Sequence, residues 1–279
     1  MEKDKKMDSF GVHLLRIFLL HRRRQGLFLL LLMPFHFLVG CFDSKQSPSS
    51  STAPKDRVEQ AKQEKQVFLT EKLRALNVPW NEVQVFIRAF KEERLLEVWV
   101  KSKKEKKYQP LIHYGFCQLS GQLGPKRKEG DRQVPEGCYQ INRFNPQSNY
   151  YLSLGLNYPN RSDRIRGDQN RPGSDIFIHG DCVTIGCIPI RDDKIKELYL
   201  LAKQAKENGQ QAIAVNIYPA KLTKEKMAVL EQRFPLAYLQ FWRELKVIYD
   251  QFEHTKEVPQ FKISDRGEYQ LLSMDSVDN

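Results

Sequence analysis

The chain has 279 residues, of which 41% are hydrophobic and 28% charged, which is the composition of a globular protein with one ordinary domain and a tail, or two small domains. Its formal net charge of +11 favours an anionic partner, such as nucleic acid, a membrane surface or an acidic polymer. Nucleic acid is disfavoured because the sequence has no nucleic-acid-binding motif, and it shows neither internal repeats nor a nucleotide-binding fingerprint.

Residues 1–41 are predicted to be a targeting segment. The arginines at 22–24 precede an apolar run from Leu27 to Val39, which is shorter than the about 20 residues that a membrane span needs. The run ends in Leu-Val-Gly-Cys at Cys41, which resembles the lipobox of bacterial lipoproteins. We therefore expect export to the bacterial cell envelope or periplasm, cleavage before Cys41, and a membrane anchor through lipid on Cys41. The alternative is an uncleaved signal anchor over residues 14–39.

A tether and a helix are predicted next. Residues 42–54 are rich in Ser and Pro and lack apolar periodicity, which is typical of a flexible linker. Apolar residues then recur at helical spacing from Lys55 to Asn77, and Pro79 ends the pattern. We expect residues 55–80 to form a helix that packs on the edge of the following domain and carries no chemistry.

A series of short strands is predicted to begin the main domain, which we expect to span residues 81–220. Residues 83–117 alternate between apolar and polar side chains, and further strands are indicated at 137–144 and 150–154. Two long polar loops, 121–137 and 157–173, lie between and after them, and loops of this length are often functional. The second loop carries Arg161, Arg164, Arg166 and Arg171. One or two of these arginines are expected to hold a substrate carboxylate, and the others to be solvated.

The stretch SDIFIHGDCVTIGCIPI, from Ser174 to Ile190, carries the clearest chemical signal. A short apolar strand delivers His179, which Gly180 follows, and Cys187 comes seven residues later behind Gly186. A neighbouring imidazole can take the proton of a thiol, and the thiolate then attacks a carbonyl carbon. Glycines beside such a pair allow a substrate backbone to approach closely.

Less specific interpretations of the same residues stay open. A lone cysteine is most often a small core residue, and a lone histidine at a strand end is often only a satisfied polar group. His179, Cys182 and Cys187 also have ligand types that zinc prefers, but three ligands without a second pair make a weak zinc signal. We expect no metal and no cofactor.

Helices are predicted to follow the motif. Asp192 is a candidate N-cap for a helix that runs to Asn208, and a strand is indicated from Gln211 to Tyr218. Residues 221–279 are expected to form a helical extension, helical from 223 to 254 with a polar tail after it. Many strands placed before the helices predict an α+β domain that is mainly β and mostly antiparallel.

The motif residues also resemble a known family. HGDCVTIGCIPI is similar to the catalytic motif of the YkuD-type L,D-transpeptidases, in particular their YafK-like branch. The flanking segments Gly124 to Ile141 and Asn157 to Ile165 resemble that branch in the same order. The resemblance implies a β-sandwich-like catalytic domain with flanking helices.

Site roles follow from the resemblance and from the residue types. The resemblance implies Cys187 as nucleophile and His179 as base. Backbone N–H groups around Gly186 and Gly180 are candidates for the oxyanion hole. The candidate substrate-binding residues are Arg164, Arg166 and Thr184.

The family's chemistry defines three functional alternatives. The first is acyl transfer on peptidoglycan stem peptides, in which a thioester on Cys187 is resolved by an amine to give a crosslink. The second is hydrolysis of an amide in peptidoglycan, which trims stem peptides or releases a wall-linked lipoprotein. The third is a non-catalytic wall-binding lipoprotein, which the presence of both His179 and Cys187 disfavours.

The motif departs from the broad family at two positions, which the YafK-like branch shares. The sequence ends Thr184-Ile185-Gly186-Cys187, without the usual histidine two residues before the nucleophile, and Pro189 replaces an arginine. These two changes do not decide whether the reaction is crosslinking or hydrolysis.

Apart from Cys41, the exported part would contain Cys117, Cys138, Cys182 and Cys187. In an oxidising compartment such thiols tend to form disulfides. A structural disulfide between Cys117 and Cys138 requires their strands to be adjacent, and the sequence leaves the pairing of Cys117, Cys138 and Cys182 open. Cys182 is predicted to be a small buried residue under the loop. If Cys182 instead faces Cys187, peroxide would join the two thiols and silence the enzyme reversibly.

Overall fold

The computed structural model describes residues 56–272, so the predictions for the targeting segment, for Cys41 and for the tether lie outside the described residues. The α-helices within this range are α1 (Arg57–Ala75), α2 (Arg161–Arg166), α3 (Asp192–Glu207), α4 (Lys224–Arg233) and α5 (Leu236–Thr255). The strands are β1 (Val83–Phe90), β2 (Leu95–Ser102), β3 (Gln109–Gly115), β4 (Gly137–Ser148), β5 (Tyr151–Leu156), β6 (Phe177–His179), β7 (Ile188–Pro189), β8 (Ala214–Tyr218), β9 (Phe261–Ile263) and β10 (Tyr269–Leu271).

Eight strands form one curled sheet. Their order is β3-β2-β1-β8-β4-β5-β6-β7, and neighbours are antiparallel except for the parallel pairs β1–β8 and β6–β7. Although β3 and β7 are at opposite ends of this order, the Cys117 N–H just after β3 donates to the carbonyl of Pro189 in β7 at 3.0 Å. The predicted fold class, mainly β with flanking helices, is confirmed.

The sheet is buried on both faces because its central strands are apolar in both alternating sets. In β1, Val85, Ile87 and Ala89 point to one face and pack in a core shared with α1 and α3. The other face carries Phe86 and Phe90, which pack against side chains of α5. Helices therefore cover both sides of the sheet, with α1 and α3 on one side and α5 on the other.

The first helix forms where the sequence predicts it. The side chain of Asp56 caps α1 by accepting hydrogen bonds from the backbone N–H groups of Val58 and Glu59, at 2.9 and 3.2 Å. Its buried residues Ala61, Leu69 and Leu73 join the core that α3 also lines.

One local prediction is wrong, and two others lacked detail that the structure supplies. The loop 157–173 contains the helix α2, which a capping box between Asn160 and Asp163 stabilises. The stretch predicted as helical, 223–254, is divided into α4 and α5, because Pro235 cannot continue α4. The C-terminal tail contains the hairpin of β9 and β10.

Residues after β8 complete the second face of the sheet. Trp242, Leu245 and Ile248 of α5 are fully buried in one cluster with Phe90 of β1 and Tyr218 of β8. Between residues 56 and 272, none of the helices has both the length and the hydropathy of a membrane span.

Candidate active site

Of the two residues predicted to carry the chemistry, His179 ends β6 and Cys187 directly precedes the neighbouring strand β7. In the parallel pair β6–β7, Ile178 is opposite Ile188 and His179 is opposite Pro189. Both isoleucines are fully buried in the core. Because side chains alternate along a strand, His179 and Cys187, which flank these isoleucines in sequence, belong to the opposite face. The hydrophobic alternation of the motif thus brings the imidazole and the thiol to the same side of the sheet.

His179 is buried and its tautomer is defined by its neighbours. The ring is 1% exposed, and its Nδ1 is 2.5 Å from the carbonyl oxygen of Gly180. A carbonyl only accepts hydrogen bonds, so Nδ1 carries the proton and Nε2 keeps a free lone pair in the neutral ring. Burial lowers the pKa of His179, against smaller opposing effects of the Gly180 carbonyl and Asp181. The residue is therefore a neutral, oriented base at neutral pH.

Cys187 is a half-buried thiol. Burial raises its pKa, and a backbone hydrogen bond from Phe177 and the positive charge of Lys126 act in the opposite direction. The sulfur lies 3.7 Å from the carbonyl oxygen of Asp175. The resting thiol is thus protonated and needs a base to become a nucleophile. No hydrogen bond joins it to His179 among residues 56–272, and such contacts often tighten only with substrate bound.

The turn that presents the thiol is held by Thr184. Its hydroxyl donates to the Cys187 carbonyl at 2.7 Å and accepts from the Gly186 N–H at 3.1 Å. Gly186 has a φ of +145°, a left-handed conformation that favours glycine, and the carbonyl of Gln133 packs against it. Thr184, predicted as a substrate-binding residue, therefore organises the turn in this structure.

Gly180 has no room for a side chain. A Cβ atom there would lie 2.5 Å from the Asp192 carboxylate and 2.7 Å from the Tyr150 carbonyl. The Gly180 N–H donates to the carbonyl of Leu152 in β5 at 3.1 Å. Both glycines predicted for the oxyanion hole thus already use their N–H groups within the fold.

Asp192 is not the N-cap of α3 that the sequence predicts. Helix α3 begins at Asp192 itself, and Arg191, with a φ of +70°, precedes it without a side-chain cap. The Asp192 carboxylate instead accepts the N–H of Asp181 at 2.7 Å. It fixes the start of the loop that leads from His179 to Cys187.

A disulfide fastens the same loop, and it gives the pairing that the sequence leaves open. Cys182 is bonded to Cys117, with a Cα–Cα distance of 5.6 Å, and Cys138 is a buried free thiol. A Cys117–Cys138 bond does not form, because β3 and β4, which adjoin these residues, are separated by three strands in the sheet. The predicted burial of Cys182 as a free thiol and its reversible bond to Cys187 are wrong, because Cys182 is already paired.

The disulfide also removes a ligand from the zinc alternative. Thiolate ligands must be free and deprotonated, and Cys182 is not available as one. Within residues 56–272 there is no group of three or more His, Cys, Asp or Glu side chains arranged to hold a metal ion.

The predicted arginines lie on α2. The Arg166 guanidinium forms a 2.7 Å ion pair with Glu244 of α5, and it lies over the ring of Phe241. Arg164 is exposed at the surface. Arg166 is therefore engaged with the C-terminal part of the chain.

Sequence reasoning missed two side chains near the pair. The ring of Tyr150 packs on the imidazole of His179 with centroids 4.6 Å apart. Lys126 is buried and donates to Asp131 at 2.6 Å, from where its charge reaches the Cys187 thiol. The length of the loop 121–137 indicated that this segment could be functional. It did not single out Lys126 or any other residue in the loop.

Comparison with known proteins identifies the family of this chain. The model of the YkuD L,D-transpeptidase catalytic domain matches residues 84–216. The "Putative L,D-transpeptidase YafK" of Escherichia coli K12 is 38% identical over 177 residues, which cover 63% of this chain and 69% of that protein. The same protein from E. coli O157:H7 matches equally.

Two solved structures show more distant similarity. The helical cell shape determining protein Pgp2 of Campylobacter jejuni has a TM-score of 0.39 at 21% identity, over 66% of this chain and 74% of that one. Bd1075 of Bdellovibrio bacteriovorus has a TM-score of 0.35 at 23% identity, over 61% and 63%. On the family model and the identity to YafK, this chain belongs to the YkuD-type L,D-transpeptidase catalytic domain family.

Proposed function

We propose that this protein is a cysteine acyl transferase that acts on peptidoglycan stem peptides through a thioester on Cys187. The observation that carries the proposal is the placement of His179 and Cys187 on one face of β6–β7, with the His179 tautomer defined by the Gly180 carbonyl. Membership of the L,D-transpeptidase family supports the substrate class. The net charge of +11 suits an anionic wall polymer.

The first half-reaction forms the thioester. His179 Nε2 accepts the thiol proton while the sulfur attacks the amide carbonyl carbon, so that a C–S bond forms. When the C–N bond breaks, His179 returns the proton to the departing amine. In the family the leaving group is D-alanine and the attacked carbonyl belongs to the L-centre of diaminopimelate.

The second half-reaction releases the enzyme. An amine of another stem peptide or a water molecule attacks the thioester carbon, and His179 takes its proton. The C–S bond then breaks, and the thiolate regains a proton from His179. An amine gives a crosslink and water gives hydrolysis, so the acceptor alone separates the two reactions.

The oxyanion needs a backbone donor that the fold does not already use. The Gly180 and Gly186 N–H groups donate to Leu152 and Thr184. We therefore place the role on the N–H of Cys187. One such donor contributes about 3 kcal/mol to transition-state stabilisation.

The test is incubation of the purified protein with defined muropeptides, followed by mass analysis of the products. Crosslinked dimers select transpeptidation, and tripeptide with free D-alanine, or a released lipoprotein fragment, selects hydrolysis. His179→Ala is expected to abolish either activity. His113→Ala is the matched control, because His113 is an exposed histidine on β3. No product from any muropeptide would contradict the proposed activity and leave only a wall-binding role.

We also propose that the chain is exported and anchored through lipid on Cys41. The Cys117–Cys182 disulfide supports this location, since such bonds persist in oxidising compartments outside the cytoplasm. Growth with a labelled fatty acid is expected to label the wild-type protein, and Cys41→Ser is expected to remain unlabelled. Absence of label on the wild type would contradict the lipidation site.

A further inference from the structure

A fully buried ion pair lies behind the loop 121–137. Lys91, in the turn after β1, and Glu136, just before β4, are both 0% exposed, and their Nζ and Oε1 atoms are 3.0 Å apart. Lys91 Nζ also donates to the carbonyls of Gly124 and Val134 at 2.8 and 2.9 Å. Glu136 Oε1 in turn accepts the N–H of Gly124 at 2.7 Å. The pair therefore fixes both ends of the loop to the central strand β1.

The second oxygen of Glu136 is held from the C-terminal part of the chain. The indole N–H of Trp242 in α5 donates to Glu136 Oε2 at 2.7 Å, and Trp242 is fully buried. One helical turn earlier in α5, the ring of Tyr238 lies so close over Gly124 that a Cβ there would be 2.7 Å from it. Trp242 and Tyr238 both lie after residue 216, where the match to the family model ends.

The loop that these contacts hold forms part of the surroundings of the thiol. The Gln133 carbonyl would be 3.1 Å from a Cβ on Gly186, so its backbone packs directly beside the residue that precedes Cys187. Asp131 accepts the Gln133 N–H at 3.0 Å and the Lys126 ammonium at 2.6 Å. Lys126 is the cation whose charge acts on the Cys187 thiol.

The second loop beside the site is tied to the same C-terminal part. Arg166 pairs with Glu244 of α5 at 2.7 Å, and the Ser162 hydroxyl donates to the Gly267 carbonyl at 2.6 Å. Asn160 donates to the Tyr269 hydroxyl of β10 at 2.8 Å. Side chains of α5 and the β9–β10 hairpin thus contact both long loops, 121–137 and 157–173.

We propose that Trp242 is a positioning residue, through which α5 sets the loop 121–137 against Cys187. The inference rests on the proposed function in one respect, the role of Cys187 as nucleophile. If Trp242 has this role, α5 contributes to catalysis although it lies outside the residues that match the family model. The reason is the chain of contacts from Trp242 to Glu136, from Glu136 to the loop, and from Gln133 of the loop to Gly186.

The test compares two tryptophans that make the same kind of contact. Trp242→Phe removes the indole donor to Glu136 and keeps most of the apolar volume. Trp99→Phe is the matched control, because the Trp99 indole donates to a carboxylate oxygen of Glu97 at 2.9 Å and its cluster contains no residue of the loop 121–137. Full-length variants are assayed for turnover of muropeptides and for the rate at which iodoacetamide alkylates Cys187, located by peptide mass mapping.

A positioning role for Trp242 predicts that the turnover rate and the rate of Cys187 alkylation change in opposite directions. Turnover by Trp242→Phe should fall roughly tenfold or more, because small displacements of a nucleophile are costly in rate. Alkylation of Cys187 should become faster, because loosening the loop lessens the burial of the sulfur, whose upward effect on the thiol pKa is larger than the downward effect of the Lys126 charge held by the same loop. Trp99→Phe should leave both rates unchanged. A role in stability alone would lower only the melting temperature.

Rates for Trp242→Phe equal to those of Trp99→Phe would overturn the proposal. Should Trp242→Phe fail to fold, Tyr238→Ala decides, since Tyr238 is only half-buried and its ring contacts Gly124 directly. The alkylation comparison needs no substrate. It therefore tests positioning even where the wild type acts on none of the muropeptides, a result that would count against the proposed function alone.

Discussion

At the scale of residues, burial keeps the thiol and the imidazole neutral before substrate binds. Burial is the largest effect on both groups, and it raises the pKa of Cys187 while it lowers the pKa of His179. A resting thiolate–imidazolium ion pair is therefore disfavoured. In the proposed reaction, the proton therefore moves from sulfur to Nε2 as the C–S bond forms, and His179 acts as a general base in the transition state.

The pKa of His179 predicts the acid limb of activity. The proposed mechanism uses the imidazole in its neutral form, and burial lowers the pKa of His179 below the ordinary value of 6.5. At pH 6.5 more than half of His179 should therefore be neutral, and the midpoint of the decline in kcat/KM should lie below pH 6.5. The measurement is kcat/KM for a muropeptide from acid to mildly alkaline pH. An acid limb with its midpoint above 6.5 would contradict the assignment of His179 as the base.

At the scale of elements, the loop between β6 and β7 is fixed at several points. Gly180 packs against Tyr150 and Asp192, Cys182 is bonded to Cys117, and Thr184 bonds the turn before the thiol. These contacts hold Cys187, the proposed nucleophile, at the end of a fixed loop. Disturbing any one of these points should therefore affect activity more than a comparable change elsewhere.

Gly180→Ala tests the tight packing after His179. The added Cβ would meet the Asp192 carboxylate and the Tyr150 carbonyl, and the overpacking should cost about 1–3 kcal/mol in the free energy of unfolding. Turnover should fall with it, since the carbonyl that orients His179 belongs to Gly180. Gly115→Ala is the control, because its nearest neighbour, the Arg94 carbonyl, is 3.9 Å from the added carbon. Equal stability and turnover for the two alanine variants would argue against this account.

The disulfide should contribute to stability through the loop that it closes. Cys117 and Cys182 are 65 residues apart, and a loop of that length corresponds to about 4 kcal/mol in the chain-entropy model. Replacing both with serine should lower the free energy of unfolding in urea by roughly 2–4 kcal/mol. Dithiothreitol should lower the stability of the wild type and leave the double variant unchanged. Cys187→Ser, which leaves the disulfide intact, serves as control, and a wild type indifferent to dithiothreitol would refute the prediction.

Sequence patterns predicted those elements that depend on local periodicity. The sequence predicted β1 and β2 from their alternation, α1 and α3 from their helical spacing, and the apolar strand that ends at His179. The helix α2 was missed because its capping box, Asn160 with Asp163, lies inside a polar stretch without apolar periodicity. The break before α5 was signalled by Pro235, which the aromatic pattern on either side concealed.

At the scale of the whole molecule, contacts between distant elements were beyond the sequence. The partner of Cys182 depends on the curl of the sheet, which brings the segment after β3 to β7. Likewise, no local pattern links Trp242 to Glu136, 106 residues earlier. The sequence did predict His179 and Cys187 as a pair from their residue types and spacing, and in the structure His179 ends β6 while Cys187 directly precedes its parallel neighbour β7.

The proposed function depends on a thioester between Cys187 and a stem peptide. The most direct measurement is the intact mass of the protein shortly after mixing with a purified muropeptide, with the site mapped by proteolysis. We expect an acyl adduct on Cys187 in the wild type, and neither adduct nor turnover in a folded Cys187→Ala variant. Turnover by Cys187→Ala near the wild-type rate would contradict the assignment of the nucleophile.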